Sequence, residues 1–154
     1  MGRILAIDLG ERRIGLATSD PTRSVAGSFG MLRRSTAEEE FAALRSTIIE
    51  QDVDLIVVGL PIGLQGAGGV QAELTRRWVA AFQKDTDVPV ELLDERLTTA
   101  QAHHTLDAMG VRRKKHREHV DAVAATLLLQ TYLERARGSR GAGEQGSRGE
   151  LSSG

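Results

Sequence analysis

The chain has 154 residues, 40% of them hydrophobic and 27% charged, which suits one globular domain with a core of its own. It has no cysteine, which excludes disulfides and thiolate metal sites and fits a reducing, cytoplasmic setting. No apolar run approaches the roughly 20 residues that span a bilayer, and the net charge of −1 argues against a generic nucleic-acid coat protein.

Residues 3–8 read as a short apolar strand that ends in a carboxylate, Asp8. That carboxylate also interrupts the only N-terminal segment that could pass for a secretory signal. Residues 13–19 alternate Ile14, Leu16 and Thr18 with Gly15 and Ala17, a second strand, and the LGERR turn makes the two a hairpin. A third strand is expected over 25–33, loosened by Gly27 and Gly30. Thr36 and Glu39 have capping-box spacing and open a helix to about Gln51, with Phe41, Leu44, Ile48 and Ile49 toward its apolar face. The β-branched run at 54–59 suits a central strand covered on both faces.

A glycine-rich loop, GLPIGLQGAGG, comes next, then a helix over 70–84, and Pro89 opens a fifth strand, VELLDE. Thr98 and Gln101 repeat the capping-box spacing before a helix to Met109, with Gly110 as its C-terminal cap. A last helix is expected over His119–Arg135, its apolar positions being Val120, Val123, Ala124, Leu127 and Leu128. Residues 138–154 hold six of the 17 glycines and almost no apolar side chains, so they read as a disordered tail behind a domain of residues 1–137. The order β-β-β-α-β-α-β-α-α implies a five-stranded mixed sheet with helices on both faces.

Asp8 ends a strand where open α/β sheets place ligands, although a turn-forming aspartate would look the same. Asp94 and Glu95 end the fifth strand. Adjacent strand residues point to opposite faces, so only one of them can share a site with Asp8. Asp121 falls in the first turn of the last helix, where the helix dipole alone favours an acid. It also shares a helical stripe with Ala125, Leu128 and Tyr132. Three converging carboxylates would repel one another unless cations neutralised them, and all-oxygen ligands suit Mg²⁺ or Mn²⁺.

Arg112, Arg113, Lys114, Lys115 and Arg117 put five positive charges into six positions just before Asp121. Such a stretch positions a phosphate backbone without reading sequence. With aromatics at 3%, base-stacking platforms are not expected. His103 and His104 are adjacent and form no zinc pattern; His116 and His119 flank the basic stretch, where proton transfer and plain solvation are both open readings.

The segments IDLGERRIGLATSD, VVGLPIGLQG, LLDERLTTAQA and VDAVAATLLLQTYL resemble the YqgF/RuvX family, in this order and over about residues 3–135. The resemblance implies an α/β domain of RNase H-like (RuvC-like) fold. It carries catalytic and metal-binding roles onto Asp8, Glu95 and Asp121, with Mg²⁺ or Mn²⁺ as cofactor. It also implies an endonuclease acting on structured nucleic acid: maturation of the 5′ end of pre-16S rRNA, or alternatively resolution of Holliday junctions. The expected nucleic-acid contacts are Arg12, Arg13, Arg96, Arg112, Arg113, Lys114, Lys115 and Arg117. The partner is an rRNA precursor or branched DNA and not a membrane. A junction resolvase needs two active sites, hence a symmetric homodimer.

Two departures stand out. Gln65-Gly66 replaces the Asp or Asn that often precedes this glycine in the family, and Glu118 and His119 make the approach to Asp121 less uniformly basic. An ATP-binding protein of the actin and sugar-kinase type also opens with D-x-G, but it needs two such domains where this chain supplies one. A nucleic-acid-binding module without catalysis would have little use for the carboxylates, because acids near phosphates weaken binding unless a metal is present.

Overall fold

The computed structural model describes residues 2–62, 69–108 and 123–138. Strands β1 (Arg3–Leu9), β2 (Arg13–Ser19) and β3 (Ala26–Arg33) pair antiparallel, and β4 (Val53–Leu60) and β5 (Val90–Asp94) add to the other side of β1 in parallel. The sheet order is β3-β2-β1-β4-β5. This is the mixed sheet expected from the element order.

Strand alternation assigns the two faces. Leu5 and Ile7 of β1 join Ile14 and Leu16 of β2 beneath helices α1 (Ala37–Glu50) and α2 (Val70–Asp85). Phe41, Trp78 and Phe82 pack there with ring centroids 5.1–5.3 Å apart, contacts worth roughly 0.5–1.5 kcal/mol each beyond the area they bury. Ile4, Ala6 and Ala17 face the other way, under Ala125, Leu128, Leu129 and Leu133 of a helix at 123–138, here α4. The small residues let α4 lie close to the sheet. Helix α3 (Ala100–Ala108) buries Ala102 and Leu106 and touches α4, where Thr105 Oγ1 donates to Glu134 at 3.3 Å.

The first helix starts as its local signal dictates. Thr36 accepts from Glu39 N, and the Glu39 side chain returns to the cap backbone. Its buried face differs from expectation: Ile49 is 80% exposed whereas Glu40 is 2% exposed. Three other expectations are corrected. The fifth strand stops at Asp94, because Asp94 accepts from Arg96 N at 2.9 Å and opens a 3-10 turn over Glu95–Leu97. The cap of α3 is Thr99 rather than Thr98, since Ala102 N donates to Thr99 Oγ1 at 3.0 Å. On α4 the buried stripe runs through Ala125, Leu128, Leu129 and Leu133, and Ala124 is exposed. Gln130 fixes that rotation by accepting from Ala26 N at 3.0 Å in the core. Met109, Gly110, Val120 and the tail at 139–154 lie outside the described residues.

Candidate active site

The strongest constellation sits at the C-terminal ends of β1 and β4. Ile7 pairs with Val58 in the parallel ladder, so Asp8 and Gly59 occupy the next position on neighbouring strands. Ala6 and Val57 belong to the core beneath α4. Two residues further along each strand, Asp8 and Gly59 therefore present to that same face. Gly59 supplies no side chain there, and the space is taken by others. A Cβ on Gly59 would stand 3.1 Å from Glu95 Cγ, 3.3 Å from Glu95 Cδ and 3.1 Å from Leu128 Cδ2. Glu95 is thus folded over Gly59, next to Asp8, and α4 closes over the same spot through Leu128.

Of the two acids at the end of β5, this selects Glu95. Leu93 shares the face of Gly59, so Asp94 points to the opposite side. There its carboxylate accepts from Arg96 Nε and Nη2 at 2.8–3.1 Å, and the Arg96 donors hold its pKa below 3.8. The acidic turn is thereby divided: one carboxylate is neutralised by its neighbour, and the other lies over the strand end.

Asp8 and Glu95 are half-buried, and a pair of all-oxygen donors beside a glycine fits a hard divalent cation. Among the described residues no three His, Cys, Asp or Glu side chains are grouped to share one ion. Asp121 lies outside the described residues, as do Arg112, Arg113, Lys114, Lys115 and Arg117 of the basic stretch, His116, His119, and residues 63–68 of the glycine-rich loop. Arg12 and Arg13 are exposed at the β1–β2 turn, and Arg96 is exposed but engaged by Asp94.

Two functional-site features escaped sequence reading. Gly59 is one. The other is a buried network behind the β1–β2 turn. Glu40 accepts from Arg34 Nε at 2.7 Å, Ser35 N at 3.0 Å and Trp78 Nε1 at 3.0 Å. Burial pushes the Glu40 carboxyl up, but these three donors outweigh it and hold the pKa below 4.5. Arg34 also donates to Gly10 O at 2.7 Å, which ties the turn after Asp8 to α1. Beside this network, an open cleft of about 470 Å³ is lined by Gly10, Arg34, Gln71 and Trp78, among others. It lies on the α1–α2 side, away from Glu95.

Comparison with known proteins identifies the family and the fold. Residues 2–135 match the family described as "RuvX: Holliday junction resolvase". A protein of Koribacter versatilis named "Putative pre-16S rRNA nuclease" is 43% identical over 134 residues, covering 87% of this chain and 88% of its own. A relative of the same name from Halothermothrix orenii is 40% identical, covering 85% and 94%. Among solved structures, RuvC of T. thermophilus in complex with a Holliday junction superposes with a TM-score of 0.59 at 14% identity, covering 88% of this chain and 97% of that one. The human cytomegalovirus terminase nuclease domain gives 0.55 at 12%, covering 86% and 83%. At those identities the likeness shows the RuvC-like fold.

Proposed function

The chain belongs to the RuvX family, and from that premise we propose that it is a metal-dependent endonuclease that matures the 5′ end of pre-16S rRNA. The observation that carries the reading is Glu95 lying over Gly59 beside Asp8. Two carboxylates share the end of a sheet of RuvC-like fold, on the face that α4 covers. Asp121 is the third member of the set. It stands four positions before Ala125 in sequence, and Ala125 is fully buried against this face.

Asp8, Glu95 and Asp121 hold Mg²⁺ or Mn²⁺ in this reading. Bound there, the ions supply an activated water and stabilisation of the leaving oxygen. The protein's part is to fix the carboxylates and to hold the phosphate backbone. Arg12, Arg13 and the basic stretch Arg112, Arg113, Lys114, Lys115 and Arg117 serve the second task, and Arg96 joins them only by loosening its pair with Asp94. Residues 1–137 form the nuclease domain, and 138–154 are a tail that adds little to it. A nuclease of ribosomal precursors acts in the cytoplasm, and no helix among the described residues is long and apolar enough to cross a membrane.

The family's description as a Holliday junction resolvase favours a second reading, in which the substrate is a four-way DNA junction; two opposed cuts would then call for a homodimer. One experiment separates the two. A labelled 16S rRNA precursor and a labelled four-way junction are incubated side by side with Mn²⁺ or with chelator. Chelator-sensitive cutting of the RNA alone is the expected result. Cutting of the junction alone would move the assignment to the second reading, and cutting that survives chelation would remove the metal mechanism.

A further inference from the structure

An arginine cluster at the open end of the sheet has no described partner. Arg13 and Arg33 are cross-strand partners in the β2–β3 ladder. Like charges directly opposite one another destabilise a ladder, so an isolated protein gains nothing from this pair. Arg34 N donates to Arg12 O at 2.8 Å, which keeps the turn residue Arg12 beside them. Glu11, Arg12, Arg13, Arg33 and Arg34 line an open groove of about 470 Å³.

Arg34 is consumed by Glu40 and by Gly10 O. Arg12, Arg13 and Arg33 are exposed and make no ion pair or side-chain hydrogen bond to a described residue. Glu11 offsets one of those three charges, and the groove remains cationic.

The register places this groove relative to the candidate metal site. Asp8 is paired with Gly15, and Arg13 lies two residues from Gly15 on the same face, beyond the C-terminal end of β1. From strand spacings, the backbones of Arg13 and Arg33 stand roughly 8 and 12 Å from that of Asp8. Extended guanidinium groups from there are long enough to reach the phosphate next to one placed at Asp8. The planar fork of arginine suits phosphate oxygens bidentately.

We propose that Arg12, Arg13 and Arg33 form a phosphate clamp that holds the substrate strand beside the cut, with Arg33 on the edge strand as its outer jaw. The clamp rests on the nuclease reading of the adjacent carboxylates. It assigns a binding role to Arg33, for which the sequence carries no motif, and it makes affinity and cut position depend on the β2–β3 ladder.

The test compares wild type with Arg33→Gln, Arg13→Gln/Arg33→Gln, Arg33→Lys and a control, Arg45→Gln. Arg45 pairs with Asp85 at the far end of α2. Binding of the labelled precursor is followed against salt, and cleavage is followed as KM and kcat with Mn²⁺. The double variant should lower the slope of log affinity against log salt by roughly 1.4–1.8, two contacts at 0.7–0.9 each. KM should rise by more than kcat falls, and secondary cut positions should appear. Arg33→Lys should keep the slope and lose part of the cut precision, and Arg45→Gln should match wild type. Melting temperatures should hold or rise in the glutamine variants, which identifies folded protein. An unchanged slope and KM in folded double variant overturns the clamp and leaves the nuclease reading standing. Wild-type protein that binds RNA with a clamp-dependent slope but never cuts removes the nuclease reading instead.

Discussion

Replacing Gly59 by alanine adds one methyl group between Glu95 and the sheet, and the structure sets the size of the disturbance. The new Cβ would lie 3.1 Å from both Glu95 Cγ and Leu128 Cδ2, against an ordinary contact of 3.4–4 Å. Glu95 or Leu128 must therefore retreat by a few tenths of an ångström. Two terms act on stability. Alanine in an extended strand restricts the unfolded chain and stabilises by about 0.4–1 kcal/mol. Overpacking costs about 1–3 kcal/mol when the surroundings are rigid, and less here because the Glu95 chain is only half-buried. The net change should stay within about 2 kcal/mol, a melting shift of no more than roughly 8 °C at this size. Activity should fall more visibly. A misplacement of about 1 Å at a reacting centre costs on the order of 100-fold, so a few tenths correspond to about fourfold to tenfold in kcat. Gly59→Val should lose more in a graded way. The assay is single-turnover cleavage across a Mn²⁺ titration, with thermal melts run beside it. A folded Gly59→Ala protein with wild-type rate and wild-type metal dependence would refute the reasoning, because it would mean that the position of Glu95 does not matter.

Asp8→Asn should abolish cleavage while nucleic-acid binding persists, and its melting temperature should hold or rise because repulsion between the acids is relieved; cutting at the wild-type rate counts against the site. Glu40→Gln should destabilise the fold by about 1.5–3 kcal/mol, the usual size of a lost hydrogen bond to a charged group, read as a drop in melting temperature. The Glu40 carboxyl has its pKa below 4.5 in the folded state, so its contribution is present above that value and disappears as pH falls through the lowered one. The gap between wild type and Glu40→Gln should therefore narrow in melts run at successively lower pH below 4.5, and a pH-independent gap would show that charge is not its source. Truncation after Arg137 should leave melting and metal-dependent cleavage nearly unchanged, since the removed residues carry almost no apolar surface; a truncated protein that binds but no longer cuts would show that the tail belongs to the site.

Signals carried by neighbours in sequence were legible, and pairings made across the fold were not. The Thr36–Glu39 capping box needs only four residues, and α1 begins where those residues place it. The continuous apolar run of residues 3–8 was enough to mark a strand ending in a carboxylate, but its two faces, Leu5 and Ile7 against Ile4 and Ala6, needed the packed helices. Burial of Glu40 was invisible because Trp78, its partner, is 38 positions away. The stripe of α4 was misjudged for a related reason: Gln130 and Thr126 are buried with it, and hydrophobic periodicity does not count them. At the site, Asp8 was readable from its strand-end position. Spacing alone left Asp94 and Glu95 open and only the family resemblance named Glu95; a physical reason for that choice needed the register of β5 and the Arg96 contacts. The role of Gly59 needed the fold of Glu95 above it.

The outer strand of the sheet is shaped by one inserted residue. In the β2–β3 ladder Leu16 faces Gly30 while the next pair is Ala17 with Ser28, so Phe29 is the extra residue and Gly30 takes φ +138°. Such an insertion bends the strand and sharpens its twist. Among the described residues β3 is the edge strand, and its outer side is a short, weakly charged run that another strand could copy. With the bend at its middle and Arg33 at its end, a second sheet cannot lay a straight strand along it without breaking register and burying a cation. The same irregularity therefore works against copies of this protein stacking edge to edge, and straightening β3 by deleting Phe29 should promote self-association through its sheet.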